Sequence, residues 1–202
     1  MANFYEKSRT AYNAKADDFD NSREGQYTHG LQRILLSEMR WCENQNVLDV
    51  ACGNGSLLAS INKKKAIKGF GIDISERMIE NAIIKNPDMM FNVSGCERTP
   101  FQNNSMDIIT VCAAYHHFPD TAAFAREANR VIKSRGMVYI VDIYLPSIIR
   151  LLFNPFVPLL LKDGDVRLYS PKEIIGNLER FGFEKVDATI KKNIQIVSVR
   201  KI

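Results

Sequence analysis

The sequence predicts an α/β fold built on a seven-stranded sheet, mostly parallel with an antiparallel last strand, with helices on both faces. Three observations predict it. Short apolar runs, VLDV at 47–50, GFGID at 69–73, MMFNV at 89–93, MDIITVC at 106–112 and GMVYIVDI at 136–143, alternate with segments of helical periodicity or helix punctuation. Such alternation builds right-handed βαβ units around a parallel sheet. Two further strand-like runs, 185–190 and 194–199, are separated only by Lys191, Lys192 and Asn193; the gap is too short for a crossover helix, so this pair is an antiparallel hairpin. The length of 202 residues is that of one ordinary domain, and no internal repeat, low-complexity tract or Gly/Ser linker divides it.

The elements follow in order. Residues 1–40 read as an N-terminal helical cap, in which Leu31, Ile34, Leu35 and Met39 fall at the spacing of one buried face. Residues 45–143 carry the five alternating strands. Within them Ser75 is placed to N-cap a helix containing Met78, Ile79, Ala82 and Ile83, which Asn86-Pro87 stops. A later helix is expected from about Asp120 through Phe124, Ala128, Val131 and Ile132, with Gly136 as its C′ residue. Residues 170–202 open with Ser170-Pro171-Lys172-Glu173, a capping box with proline at N1, and Gly182 closes that helix before the hairpin.

Composition excludes several classes. With 46% apolar and 25% charged residues the chain has the makeup of a soluble globular domain. The balance of 27 Lys+Arg against 23 Asp+Glu, +4 in all, is too even for a nucleic-acid footprint, and Lys63-Lys64-Lys65 and Lys191-Lys192 read as solvated faces. Cys42, Cys52, Cys96 and Cys112 form no C-x-x-C and only three histidines occur, so neither a zinc framework nor a disulfide scaffold is expected. The opening MANFYEKSRT lacks the apolar core of a secretory signal, which makes the cytoplasm the expected address. The most apolar stretch, 143–161, is broken by Arg150, Asn154 and three prolines and is not expected to insert stably in a membrane.

The sharpest local signal is VLDVACGNGSLL, residues 47–58. A buried strand ends there in a turn containing Gly53 and Gly55 that leads into a helix, so bare backbone and a helix N-terminus can meet the polar part of a nucleotide-like cofactor. Asp73 ends the second strand 18 residues past Gly55, close to the spacing of roughly 20 at which an acid meets ribose hydroxyls in this architecture. Its carboxylate can accept two hydrogen bonds side by side, which suits a vicinal diol. A dinucleotide is disfavoured: position 58, where its fingerprint wants a third glycine, is leucine.

The ordered motifs VLDVACGNGSLL, GFGIDISERMIENA, GCERTPFQNNSMDIITVCAAYHHFPD and REANRVIKSRGMVYIVD resemble the class I S-adenosylmethionine-dependent methyltransferases, whose fold is Rossmann-like, and above all their ubiquinone and menaquinone biosynthesis branch. AYNAKADDFD at 11–20 is similar to the helix that folds over the cofactor in that family. The resemblance implies S-adenosylmethionine as cofactor, with Tyr12, Asp49, Ala51, Gly53 and Gly55 around its methionine portion and Asp73 on its ribose. Ile74 and Met78 would pack on the adenine, Cys96 would meet it through backbone N–H, and Cys112 would flank the sulfonium. One departure stands out. Where the family often carries G-D-A-E this chain has Ser94-Gly95-Cys96-Glu97, so Gly95 replaces the acid that accepts from the adenine amino group, and Glu97 or water would have to substitute.

Methyl transfer needs alignment and exclusion of water, not a protein nucleophile. An O or N acceptor must often lose a proton, and His116 and His117 in YHHF fall just beyond the fourth strand, at the sheet edge where ligands bind. Either could be a general base, or one could only pack on the cofactor, His117 being the nearer candidate for that contact. Residues 143–169 occupy the place of the family's variable substrate cover, where Phe153, Phe156 and the leucines would wall an apolar acceptor or else make a dimer or core contact. The expected function is methyl transfer to an O, N or C atom of a small, lipophilic or aromatic molecule by a monomer or homodimer. The other reading is a module of the same fold that binds the cofactor or its product without turnover.

Overall fold

The computed structural model describes residues 2–160 and 163–202. Seven strands, β1 (Asn46–Val50), β2 (Lys68–Asp73), β3 (Met90–Val93), β4 (Met106–Cys112), β5 (Ile132–Ile143), β6 (Phe183–Lys191) and β7 (Ile194–Lys201), form one sheet in the order β3-β2-β1-β4-β5-β7-β6. The first five pair in parallel, while β7 runs antiparallel to both β5 and β6. The terminal hairpin, its strands joined by Lys192 and Asn193 alone, enters the sheet with its second strand inside and its first strand at the edge.

Eight α-helices are described: α1 (Ala2–Lys15), α2 (Arg23–Glu38), α3 (Ser56–Lys64), α4 (Glu76–Lys85), α5 (Thr121–Val131), α6 (Ser147–Phe153), α7 (Val157–Leu160) and α8 (Pro171–Glu179). Successive strand residues face opposite layers, and the core divides accordingly. Val47, Ile108 and Tyr139 join Leu31, Leu35 and Leu57 from α2 and α3 on one side. Leu48, Ile109 and Ile140 join Phe124 and Leu178 from α5 and α8 on the other. The Ser75 hydroxyl accepts the Met78 N–H at the start of α4, and both bonds of the Ser170–Glu173 capping box are present at the start of α8.

The junction of α5 with β5 differs from expectation. The helix stops at Val131 and the strand starts at once, Ile132 pairing with Met106 before a register shift brings Met137 opposite Ile108. Gly136 is therefore a strand residue beside a bulge rather than a helix C′. A β-carbon there would lie 2.9 Å from the carbonyl oxygens of Asp107 and Lys133, and the left-handed turn expected of it falls on Arg135 (φ 64°).

Strand order reverses between β1 and β4, which is where such sheets bind ligands at their carboxyl ends. Helix α1 lies over this crevice. Asn13 Oδ1 accepts from the Ser75 hydroxyl at 2.6 Å and Arg9 pairs with Glu76 at 3.0 Å on one side, while Lys15 pairs with Asp163 at 2.6 Å on the other.

Candidate active site

Beyond Val50 the chain turns through three left-handed residues, Ala51 (φ 58°), Gly53 (φ 52°) and Gly55 (φ 76°). The two glycines answer different needs. A β-carbon on Gly55 would sit 2.8 Å from Asn86 Nδ2 and 3.1 Å from the Phe91 ring, whereas one on Gly53 would meet only Met78 Sδ at 3.9 Å. Gly55 lets the start of α3 pack against its neighbours; Gly53 leaves the backbone bare toward open space. Asp73 fastens this turn, its Oδ2 accepting the Gly53 N–H at 2.8 Å and its Oδ1 the Ser75 N–H at 2.9 Å. Each oxygen keeps a further lone pair. Burial raises the Asp73 pKa, and the N–H groups of Ser75, Gly53 and Ile74 pull the other way.

Asp49, two residues before the turn, is buried. Burial pushes its pKa up to about 7, against the pull of the Thr110 hydroxyl at 2.7 Å and with a further push from the Asp73 charge. At the end of β4, Cys112 leads through Ala113 (φ 56°) into a single 3-10 turn, Tyr115–His117. His117 Nε2 lies 3.2 Å from the Tyr12 hydroxyl, which donates to Glu24 Oε1 at 2.8 Å. Burial, then the neighbouring His116, holds the His117 pKa well below the usual imidazole value.

These groups border one cavity that opens to solvent. Asp49, Ala51, Gly53 and Asp73 line it from the ends of β1 and β2, Ile74 and Met78 from the start of α4, and Cys96, Cys112, His117 and Tyr12 from the remaining sides. Four expected residues are elsewhere. Gly55 faces the helix packing just described. Gly95 borders a shallower neighbouring depression, with Glu97 hydrogen-bonded by the Tyr5 hydroxyl beside it. His116 is buried outside the lining: its Nδ1 faces Asp142 Oδ1 at 2.6 Å and its Nε2 faces Asp165 Oδ1 at 3.4 Å. Burial works to lower its pKa, but Asp142 first and Asp165 after it outweigh burial and leave it raised.

Other lining residues were not singled out in the sequence, although Asn54 and Ser56 lie within the VLDVACGNGSLL run. Tyr5 and Ser8 reach in from α1, Thr28 and Gln32 from α2, and Asn54 and Ser56 from the turn into α3. Gln32, buried and bonded to the Ser56 hydroxyl at 2.9 Å, was the one such residue with a cue, a polar side chain beside the apolar stripe of Leu31 and Leu35. Among the described residues, none of 143–158 lines the cavity.

The lining fits S-adenosylmethionine. It offers an acid with free lone pairs for a diol, bare backbone at Gly53, apolar Ile74 and Met78 for an adenine, and a buried carboxyl at Asp49 where a cationic centre would be welcome.

Comparison with known proteins agrees. Residues 48–140 match the Methyltransferase domain family. A demethylmenaquinone methyltransferase of Thermotoga maritima is 30% identical over 162 residues, covering 69% of this chain and 70% of that one. The chain belongs to the class I S-adenosylmethionine-dependent methyltransferases. S-adenosylmethionine is the cofactor of this family and of this chain. A ubiquinone/menaquinone biosynthesis C-methyltransferase of Rickettsia typhi is 36% identical over 104 residues, 46% of this chain and 42% of its own, so the match spans under half of that relative's length. The methyltransferase fold is also shared with a Haloferax volcanii chain solved with the Trm112 methyltransferase activator (TM-score 0.81, 18% identity, 94% of this chain and 97% of that one). An S-adenosylmethionine-dependent methyltransferase of Aquifex aeolicus is similar too (TM-score 0.66, 22% identity, 85% and 89%).

Proposed function

We propose that this chain transfers a methyl group from S-adenosylmethionine to a carbon of a small, lipophilic aromatic acceptor of the quinol class. The observation that carries the reading is the single cavity in which Asp73 and the bare Gly53 turn meet Tyr12 and His117. The names of the relatives, a demethylmenaquinone methyltransferase and a ubiquinone/menaquinone C-methyltransferase, support the acceptor class.

When bound, the cofactor supplies an electrophilic methyl on a sulfonium. The protein's own part is to hold and exclude. Asp73 and the Gly53 N–H region would position the ribose and methionine portions, Asp49 would face the positive charge, and Tyr12, Phe19 and His117 would wall off water at the methyl end. His116, shut behind two carboxylates, would position the loop rather than touch substrate. Where the acceptor must lose a proton, Tyr12 would pass it toward Glu24, 2.8 Å away.

The test is turnover of the purified chain with S-adenosylmethionine against a panel of hydrophobic quinols, phenols and polar small molecules, following S-adenosylhomocysteine and methylated product. Quinol methylation is expected. Methylation confined to polar acceptors would overturn the acceptor class. Calorimetric binding of both cofactor forms with no turnover on an extract of the source cell would favour a non-catalytic module.

A further inference from the structure

Behind the cavity wall, two histidines adjacent in sequence and an acid 48 residues later meet at one point. His116 Nε2 lies 3.4 Å from Asp165 Oδ1, and with a ring nitrogen of His117 the three ligand atoms lie within 4.8 Å of one another. A tetrahedral ion with bonds of about 2.0–2.1 Å sets its ligands roughly 3.3 Å apart. One edge already has that length.

Both imidazoles are also held from behind, each by a hydrogen bond at the nitrogen turned away from this point. His116 Nδ1 faces Asp142 Oδ1 at 2.6 Å, and the other oxygen of that carboxylate accepts the His116 backbone N–H at 3.0 Å. The hydrogen on Nδ1 is thereby fixed in the carboxylate–histidine arrangement that orients ligands in metal sites, and a metal at Nε2 would take the place of the second proton that Asp142 and Asp165 otherwise favour. The Tyr12 hydroxyl gives its one hydrogen to Glu24, so His117 Nε2, 3.2 Å from that hydroxyl, must be the donor. Its Nδ1 then carries a lone pair, and this buried atom has no hydrogen-bond partner in bonding geometry, although the Gly164 backbone borders the ring and works to raise its pKa. An imidazolium shared between Asp142 and Asp165 would account for His116 but leave His117 Nδ1 orphaned, at the cost of an unmet buried acceptor. A cation in front of it accounts for both.

We propose that His116 Nε2, His117 Nδ1 and Asp165 bind one divalent transition-metal ion of the zinc type, with a fourth position for water. Two nitrogens and one carboxylate suit such an ion better than calcium or magnesium, which take oxygen ligands. The ion would staple the segment before α8 to the turn after β4, where the Val166 and Arg167 N–H groups already donate to the His116 carbonyl at 2.9 and 3.2 Å. Asp163, two residues away, anchors α1 through Lys15 and the Ser8 hydroxyl, so the ion would stiffen the roof of the cavity. His117 serves both places with opposite nitrogens.

The probe is Zn²⁺ added to the chelator-treated full chain, followed by calorimetry, by melting temperature and by ¹⁵N NMR of the imidazoles. One ion per chain, a raised melting temperature and shifts at His116 Nε2 and His117 Nδ1 are expected. Asp165→Ala should weaken binding by at least about tenfold, since even changes behind the ligands cost roughly 10–100-fold. Absence of saturable binding would overturn the proposal. So would binding that leaves both ring nitrogens unmoved, as capture by the exposed Cys42 thiol would; this readout on the unsubstituted chain stands even if Asp165→Ala fails to fold.

Discussion

The Gly53 N–H donates to Asp73 Oδ2 at 2.8 Å, fastening the bare turn after β1 to the last residue of β2. One carboxylate thus both shapes the turn and offers its remaining lone pairs to the cavity. Asp73→Ala removes both roles. The Gly53 and Ser75 N–H groups lose their acceptor, and so does a ribose. The dissociation constant for S-adenosylmethionine is expected to rise tenfold or more, from roughly 1.5–3 kcal/mol for bonds to a charged group, together with a lower melting temperature. An unchanged constant by calorimetry would remove Asp73 from the site.

That pair was legible in the sequence because each half is written locally, the turn by its glycines and the acid by its place at a strand end. The strands, the Ser75 cap, the capping box and the terminal hairpin were legible for the same reason. What was not legible depends on distant packing. Tyr5, Thr28 and Gln32 enter the cavity only because α1 and α2 are laid over the crevice. Gly136 looks like a helix stop in sequence, and only its pairing beside β4 makes it a strand residue at a bulge. Of the two adjacent histidines, His117 was the nearer candidate for a cofactor contact, but only the turn after β4 shows that it points at Tyr12 while His116 points at Asp142.

The contrast between the glycines of the turn gives a second prediction. Both are left-handed, so alanine costs on the order of 1 kcal/mol of strain at either. Gly55→Ala adds a clash with Asn86 and Phe91 and should be the more destabilised by thermal melting, by an extra 1–3 kcal/mol on the order expected for overpacking. Gly53→Ala has room in the free protein but places its methyl toward the cavity. It should melt within a few degrees of the parent and bind the cofactor several-fold more weakly. Equal melting temperatures for the two variants would contradict this division.

Asp49 predicts a pH dependence. Its carboxyl ionises near 7 in the folded chain against 3.8 for the free side chain. The folded state therefore binds more protons than the unfolded one between these values, and this group's contribution to stability declines as pH rises from about 4 to 7. Cofactor binding has the opposite sign, because the ionised form faces a sulfonium. Affinity for S-adenosylmethionine should rise by up to roughly tenfold from pH 6 to 8, and affinity for neutral-sulfur S-adenosylhomocysteine should rise less. Asp49→Asn should flatten the ratio of the two constants across that range. A ratio independent of pH in the parent chain would sink the assignment.

The last prediction concerns α6. Its Ile148, Ile149, Leu151 and Leu152 are 52–76% exposed, and none of the described residues of 143–158 lines the cavity. The segment holds its shape through polar ties instead, Arg150 Nη1 donating to the Leu145 carbonyl at 3.0 Å and Asn154 bonding the Leu168 backbone in both directions at 3.0 Å. Replacing Leu151 and Leu152 with glutamate should therefore leave stability within about 0.5 kcal/mol, as for surface changes generally. If the helix serves the acceptor, kcat/KM should fall at least several-fold for a long-tailed quinol, while a tail-less, water-soluble analogue and the cofactor KM stay level. An equal loss for both acceptors would point to damage at the cavity itself. No loss for either would leave the apolar face of α6 outside acceptor recognition.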